Sequence, residues 1–274
     1  MEWIVLVILG LIAGTLGSLM GLGGGIIVVP ALMVLSGYIG ILAGITPQVA
    51  VGTSLLIMIF TGASSTLAYI KQKKVDYISG SIFLIGSIPG ALFGVYLNKG
   101  IEVSSFLIYF GLFIIIVSFI LMIRKYLKPI KVGKKGVKRE YVNDLGETVQ
   151  YGFSPWLAIP IAFIVGMCSG LFGIGGGSLM VPAMILLFGF PAHMAVATSM
   201  FMIFFSAISS SISHIALGNV DWLYAIALIP GAWIGGKLGA AIGQRLKSDT
   251  LVMFLRIFLV IIGARLIWQG WMVG

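Results

Sequence analysis

Two runs of three glycines are the residues of this sequence best suited to chemistry. They lie within GLGGGIIVVPA at 21–31 and GIGGGSLMVPA at 173–183, and the six residues are Gly23, Gly24, Gly25, Gly175, Gly176 and Gly177. Glycines weaken an apolar helix and leave its backbone N–H groups uncovered. Because each run leads into a helical segment, those N–H groups and the positive end of the helix dipole would favour an anion. The alternative is that the glycines only allow helices to pack closely.

Hydroxyl groups form the second candidate set. AVGTS at 50–54 and AVATS at 195–199 are matching segments, and a serine follows the second glycine run. Hydroxyls in apolar helices can donate hydrogen bonds to an anion without a fixed opposite charge. We therefore expect substrate contacts from Thr53, Ser54, Thr198, Ser199 and Ser178. The competing interpretation is that each hydroxyl bonds to a carbonyl one turn earlier in its own helix.

Ionisable residues are scarce within the apolar runs. Lys237 lies between glycines in GGKLGAA and is a further candidate anion contact. Asp76 and Asp221 lie at segment ends, where aspartates commonly cap helices. The chain has only one cysteine and two histidines, and no other carboxylate falls inside an apolar run. This pattern argues against a metal site, and no metal or other cofactor is expected.

The elements that must position these residues are membrane helices. Hydrophobic residues make up 59% of the 274 residues and charged residues 9%, whereas soluble domains carry about 25% charged residues. The recurring apolar runs predict an all-α polytopic membrane protein, and no segment is typical of a strand. We expect five hydrophobic segments in each half, with a short second segment. They lie at about 3–20, 26–42, 47–70, 77–97 and 103–123, and then at about 154–172, 178–190, 192–216, 220–243 and 250–270.

The two halves are an internal repeat. Residues 14–31 match residues 166–183 at nine of 18 positions, and residues 50–76 match residues 195–221 at an offset of 145. The sequence therefore predicts three parts, which are a first membrane repeat at 1–123, a basic linker at 124–153 and a second membrane repeat at 154–274.

Loop charges predict how the repeats are oriented. Eight of the 17 Lys and Arg residues lie between Arg124 and Arg139, which indicates a cytoplasmic linker and not a nucleic-acid site. If all five segments of a half cross the membrane, the repeats are inverted, and the loops with Lys71 and Arg245 join the linker inside. If the short second segments re-enter instead, each half has four crossings and Arg245 falls outside. The positive-inside bias favours inverted repeats with broken or short second helices.

These motifs resemble those of the TauE/SafE sulfite exporter family, also called the toluene sulfonate uptake permease family. The resemblance rests on the duplicated GxGGGxxxxPA and AVxTS motifs, with IPGA at 88–91 and again at 229–232. It covers nearly the whole chain apart from the linker. It implies transport of sulfur-containing or other organic anions, such as sulfite, sulfoacetate and sulfonates, across the cytoplasmic membrane.

Residues and resemblance together predict a multi-pass secondary transporter of the cell membrane. A small anion would bind between the two glycine runs, within the lipid bilayer, while the repeats alternate access to it. An anion channel on the same architecture is the alternative. An intramembrane hydrolase using Ser199 or Ser178 with His214 is a remote one, because Ser199 and His214 lie about 22 Å apart along one helix. A coupling ion (H⁺ or Na⁺) and a homo-oligomer are left open, and no nucleic-acid partner is expected.

Overall fold

The structure, a computed structural model, describes residues 2–35, 45–122, 136–142, 148–176, 179–243, 245 and 248–273. The first half contains α1 (Glu2–Met20), α2 (Gly25–Leu35), α3 (Pro47–Lys71), α4 (Tyr77–Asn98) and α5 (Val103–Met122). A hairpin of β1 (Val137–Val142) and β2 (Thr148–Phe153) follows. The second half contains α6 (Pro155–Phe172), α7 (Met180–Leu187), α8 (Ala192–Ala216), α9 (Trp222–Gly243) and α10 (Ser248–Val273).

Helix lengths match an all-α polytopic membrane protein, which confirms the predicted class. Among the described residues, α1, α3, α4, α6, α8 and α9 are long and apolar enough to cross a membrane. Within the described residues, α2 has 11 residues and α7 has 8, so the described part of each rises less than the roughly 30 Å of a hydrocarbon core. That the second helix of each half is short or broken stays a prediction.

Helices α1 and α3 both run parallel to α9. Along α1, Gly10 abuts Leu228, and further on Thr15 abuts Gly239. Glycines at such crossings let two helix backbones approach closely. The hydrogen bonds that fix the direction of α3 run from Ser64 to the carbonyl of Trp233 and from Gln72 to that of Ala240.

Corresponding helices of the two halves run in opposite directions. α3 and α8 are antiparallel, since Gly62 abuts Phe204 whereas Gly52 abuts His214. α4 and α6 run with α8, so α1 opposes α6, α3 opposes α8 and α4 opposes α9. Inverted repeats require these directions. Their orientation across a bilayer stays a prediction, as do the domain limits at 123 and 153.

The short helices return the chain towards the end from which it came. Because α1 and α3 run in the same direction, the chain between Met20 and Pro47 must come back to the end of the bundle where α1 begins. The same holds for the chain between Phe172 and Ala192 in the second half. Each half therefore begins at one end of the bundle and finishes at the other, as it would if all five of its segments crossed the membrane.

The two ends of the bundle differ in charge. α3 ends at Lys71, α9 is followed by Arg245, and the hairpin with Arg139 contacts the start of α4, all at one end, here called the basic end. α4 and α8 finish at the other end, here called the opposite end, at Asn98 and Ala216. Of the predicted basic loops, the described residues Lys71, Arg139 and Arg245 thus share one end of the molecule.

The hairpin corrects the expectation that no segment forms a strand. β1 and β2 are antiparallel, with Val137 opposite Phe153. The Phe153 ring is buried against Phe83 and Phe188, at centroid distances of 4.6 and 5.6 Å. Two six-residue strands in a basic, polar linker carry too weak an alternation for sequence patterns to reveal, and burial of one end against the membrane helices supplies the stability they lack alone.

Candidate functional site

Both glycine runs break the helix that precedes them. Residues 21–24 separate α1 from α2, and residues 173–179 separate α6 from α7. The backbone has positive φ at Gly21, Gly23 and Gly24, and again at Gly173 and Gly175. Only glycine adopts this conformation readily, so the duplicated glycines are required by the turns themselves.

The two breaks contact each other inside the bundle. Gly25 abuts the carbonyl of Gly173 so closely that a methyl group on Gly25 would overlap it. The side chain of Met58 lies against both Gly23 and Gly175. Ile203, the residue that matches Met58 in the second repeat, lies against the same two glycines. The matching residues of the two halves thus converge on one small region.

The start of α2 places backbone donors in this region. The carbonyl of Gly24 accepts from Ile27 and Val28, at 2.9 and 3.0 Å. The N–H groups of Gly25 and Ile26 therefore precede the hydrogen bonds of the helix, at the positive end of its dipole. Both residues are buried, which gives this helix end the chemistry of an anion contact.

Serine hydroxyls of the duplicated AVxTS motif join each half to the break of the other. Ser54 donates to the carbonyl of Gly173 over 3.1 Å, and Ser199 donates to that of Gly21 over 2.6 Å. All of these residues are buried. In this conformation the two serines stabilise the turns, and their bonds run between the halves and not to their own helices.

Threonine hydroxyls of the same motif make a second reciprocal pair. Thr198 accepts from the N–H of Asp76, and Thr53 accepts from the N–H of Asp221, each over 3.0 Å. The first bond lies at the basic end and the second at the opposite end. Each AVxTS segment thus holds the start of a long helix that belongs to the other repeat.

Of the remaining predicted site residues, Gly176 lies at the breaks and Lys237 does not. Gly176 faces two hydroxyls, and a methyl group on it would lie 2.7 Å from Ser87 Oγ and 3.2 Å from Ser206 Oγ. Lys237 is exposed, with Nζ 5.6 Å from the centre of the Trp233 ring, and is not brought to the breaks. The two predicted residues that lie outside the described part of the chain are Gly177 and Ser178.

Asp76 is the centre of a polar cluster at the basic end. It caps α4, accepting from the Ser79 N–H at 3.1 Å, and its Oδ2 accepts from the Ser79 hydroxyl at 2.6 Å, Tyr151 Oη at 2.9 Å and Arg139 Nε at 3.3 Å. Burial alone would raise the pKa of Asp76, but these hydrogen bonds and the charge of Arg139 outweigh it and hold the pKa below its ordinary value. The cluster ties the hairpin to α4, and through the Asp76–Thr198 bond to α8.

The matching residue Asp221 has a simpler environment. It caps α9 by accepting from the N–H groups of Leu223 and Tyr224, at 3.0 and 3.1 Å, and it is partly exposed. No ion pair to Asp221 is found among the described residues. Both aspartates therefore bond to a threonine of the other repeat and cap a helix, but within the described residues only Asp76 has side-chain partners in the hairpin.

Sequence reasoning missed several of these residues for different reasons. Met58 and Ile203 match in the repeat alignment, so the duplication itself carried a signal for them. Arg139 and Tyr151 lie in the linker hairpin, where nothing in the sequence indicates their contact with Asp76. Within the described ranges, no group of three or more His, Cys, Asp or Glu side chains is placed to hold a metal ion.

Comparison with known proteins gives matches along nearly the whole chain. The family model described as sulfite exporter TauE/SafE matches residues 6–266. The probable membrane transporter protein YunE of Bacillus subtilis (strain 168) is 56% identical over 270 residues, which cover 98% of this chain and 99% of that protein. A probable membrane transporter protein of Methanocaldococcus jannaschii, MJ0441, is 29% identical over 94% of this chain and 93% of its own length. No solved structure matches the chain significantly. With both the family model and a full-length relative in agreement, the chain belongs to the sulfite exporter TauE/SafE family of multi-pass membrane transporters.

Proposed function

We propose that this chain is a secondary transporter that carries a small oxyanion across the cell membrane. Its substrate is a sulfur-containing anion: sulfite, sulfoacetate or another organosulfonate. The anion binds where the two glycine breaks meet, and access alternates between the two sides of the membrane. The family supports transport, and the chemistry of the breaks supports an anion.

The observation that carries the proposal is the contact of the two breaks between halves that run in opposite directions. Gly25 lies against Gly173, and Gly25 and Ile26, whose N–H groups begin α2, are both buried. A buried helix N-terminus favours negative charge and supplies donors without a lysine or arginine. A site of this kind binds an oxyanion reversibly, which transport requires.

Alternating access follows from the reciprocal bonds. In our proposal the Thr198–Asp76 bond holds the basic end closed, and the Thr53–Asp221 bond holds the opposite end closed. Rocking of one repeat against the other would break one bond while keeping the other. Ser54 and Ser199 would release a break as its end opens, which frees their hydroxyls for the substrate.

The basic end faces the cytoplasm in this proposal. Lys71, Arg139 and Arg245 all belong to this end, and the positive-inside bias places such residues on the cytoplasmic side. Lys237 is not part of the proposed site, because its exposed side chain lies over Trp233 on the outer surface of α9.

Uptake by the purified protein in liposomes tests the proposal. The probes are radiolabelled sulfite and sulfoacetate, and the variant is Gly176→Ala, because Gly176 has no positive φ and a methyl group there meets only hydroxyl side chains. We expect uptake by the native chain and loss of uptake in the variant. The matched control is Gly100→Ala, since no atom lies within 4 Å of the added methyl group.

Two results would contradict the proposal. Unchanged uptake by a folded Gly176→Ala protein, with an unaltered unfolding temperature, would remove the breaks from the substrate site. Channel-like currents across a planar bilayer would replace the carrier with an anion channel.

A further inference from the structure

Four buried polar side chains, one on α4 and three on α8, are here called the serine seam: Ser87, Ser206, Ser210 and His214. The last three follow one another at four-residue intervals on α8, so they lie on one face of that helix. None is more than 1% exposed. The seam is therefore a buried polar stripe on these two helices.

Polar atoms of the seam lack partners. Within the part of the chain that the structure describes, Ser87 Oγ and Ser210 Oγ make no hydrogen bond, whereas the His214 ring faces the backbone of Gly170. Ser206 makes only one of 3.4 Å, to the carbonyl of Ile203. A buried polar atom without a partner is unfavourable and uncommon, so the seam has the chemistry of a surface that takes a partner from outside the chain.

The first repeat shows that this is not a property of the residue types. The matching residues there are Thr61, Ser65 and Tyr69, which replace Ser206, Ser210 and His214. Each of the three donates to a carbonyl, of Ile57 at 3.4 Å, of Gly236 at 3.2 Å and of Ser18 at 3.0 Å, in that order. Thr61 and Ser206 are alike, with one bond of 3.4 Å each, but Ser65 is hydrogen-bonded where Ser210 is not.

The seam connects the second break with the opposite end. Gly176 lies against Ser87 and Ser206, and His214 lies beside Gly52 and near Asn219, whose Nδ2 is 3.5 Å from its Nδ1.

We propose that the serine seam lines the route by which the oxyanion passes between the second glycine break and the opposite end. The proposal rests on the proposed function and assigns it a path. Hydroxyl and imidazole groups bind sulfonate oxygens through single hydrogen bonds, with no fixed charge to trap the anion. Ser65 and Tyr69, at the matching positions of α3, are occupied by hydrogen bonds in this conformation.

Cysteine labelling tests the route without relying on transport. Cys168 is the only cysteine, so Cys168→Ser gives a background for Ser210→Cys and for its matched control Ser65→Cys. The probe is the anionic reagent 2-sulfonatoethyl methanethiosulfonate, applied to the protein in lipid nanodiscs, and the readout is the mass of the intact chain. We expect Ser210→Cys to react roughly tenfold faster than Ser65→Cys, because only an accessible thiolate reacts. Sulfoacetate, which does not attack thiosulfonates, should slow the reaction at position 210 alone.

Equal labelling rates at positions 210 and 65, or no effect of sulfoacetate on labelling at position 210, would contradict the proposed route. The uptake assay separates the two proposals. Uptake of sulfoacetate by a protein whose position 210 does not label would leave the proposed function standing and remove the route. Labelling and sulfoacetate protection without any uptake would leave the route as a binding site and overturn the transport of these anions.

Discussion

The hydroxyl of Ser199 donates to the carbonyl of Gly21 over 2.6 Å, joining α8 of the second repeat to the break after α1 in the first. Ser54 makes the corresponding bond to Gly173 over 3.1 Å. Each turn is therefore fixed by the other repeat, and neither half contains all the contacts that shape its own break.

Replacing either serine by alanine should destabilise the protein. Ser199→Ala leaves the buried carbonyl of Gly21 without this donor, so we expect a loss of about 1–3 kcal/mol, and Ser54→Ala should lose a similar amount. Thermal unfolding in detergent measures the change. Ser213→Ala is the control, because the bond from Ser213 to Ser209 is 3.4 Å long and only partly buried. Equal unfolding temperatures for all three variants would contradict the structural role of the motif.

The docking of the hairpin should depend on pH through Asp76. The pKa of this carboxyl is lowered in the folded protein, so its ionised form adds stability above the ordinary value of about 3.9. That stability is lost as the pH falls through the lowered pKa. We expect amides of β2 to be protected from hydrogen exchange at pH 7 and at pH 5, and to lose protection below about pH 4.

Asp76→Asn tests the assignment of this pH dependence. The amide cannot pair with Arg139, so protection of β2 should be reduced already at pH 7 and should change little on acidification. Asp221→Asn is the matched control, since it makes the same substitution at the start of α9, where the described residues show no ion pair to Asp221 and asparagine can still cap the helix. If Asp221→Asn released the hairpin as readily as Asp76→Asn, the cluster would not be its anchor.

Replacing Thr198 or Thr53 should open opposite ends of the protein to solvent. Thr198→Val removes the bond to Asp76 and should favour opening at the basic end, whereas Thr53→Val should favour opening at the opposite end. Reporter cysteines at Ala195 and Ala50, both fully buried and matched by the repeat, can be placed in the Cys168→Ser background. Maleimide labelling should rise at position 195 in the first variant and at position 50 in the second. The same change at both reporters in either variant would indicate general loosening and not alternating access.

The sequence predicted the positions of the long helices better than the contacts between them. Hydrophobic runs located α3 and α8 to within one residue at the ends, because long apolar helices leave a strong pattern. The α2 segment was predicted to reach residue 42, and the last part of that prediction falls on residues 36–44, which lie outside the described part.

The candidate site shows the same limit. The internal repeat identified four matching hydroxyl residues as candidates: Thr53, Ser54, Thr198 and Ser199. Their partners are backbone groups of the other repeat, and contacts between distant segments cannot be predicted from one sequence. The alternative of bonding within each helix was equally consistent with the residue types. Ser87 was not predicted at all, because a single serine in an apolar helix is common and its importance depends on the break packed against it.

Ser87→Ala should separate stability from transport. The Ser87 hydroxyl is buried and without a partner among the described residues, so its removal should leave the unfolding temperature unchanged or raise it. If the hydroxyl meets the oxyanion in the serine seam, the same variant should show a higher KM for sulfoacetate uptake, by roughly tenfold for the loss of about 1.4 kcal/mol of binding. Ser64→Ala is the comparison, because its 2.6 Å bond to the Trp233 carbonyl is structural and its loss should lower stability with little change in KM. A Ser87→Ala protein that is less stable and keeps its native KM would show that the hydroxyl serves the fold and not the substrate.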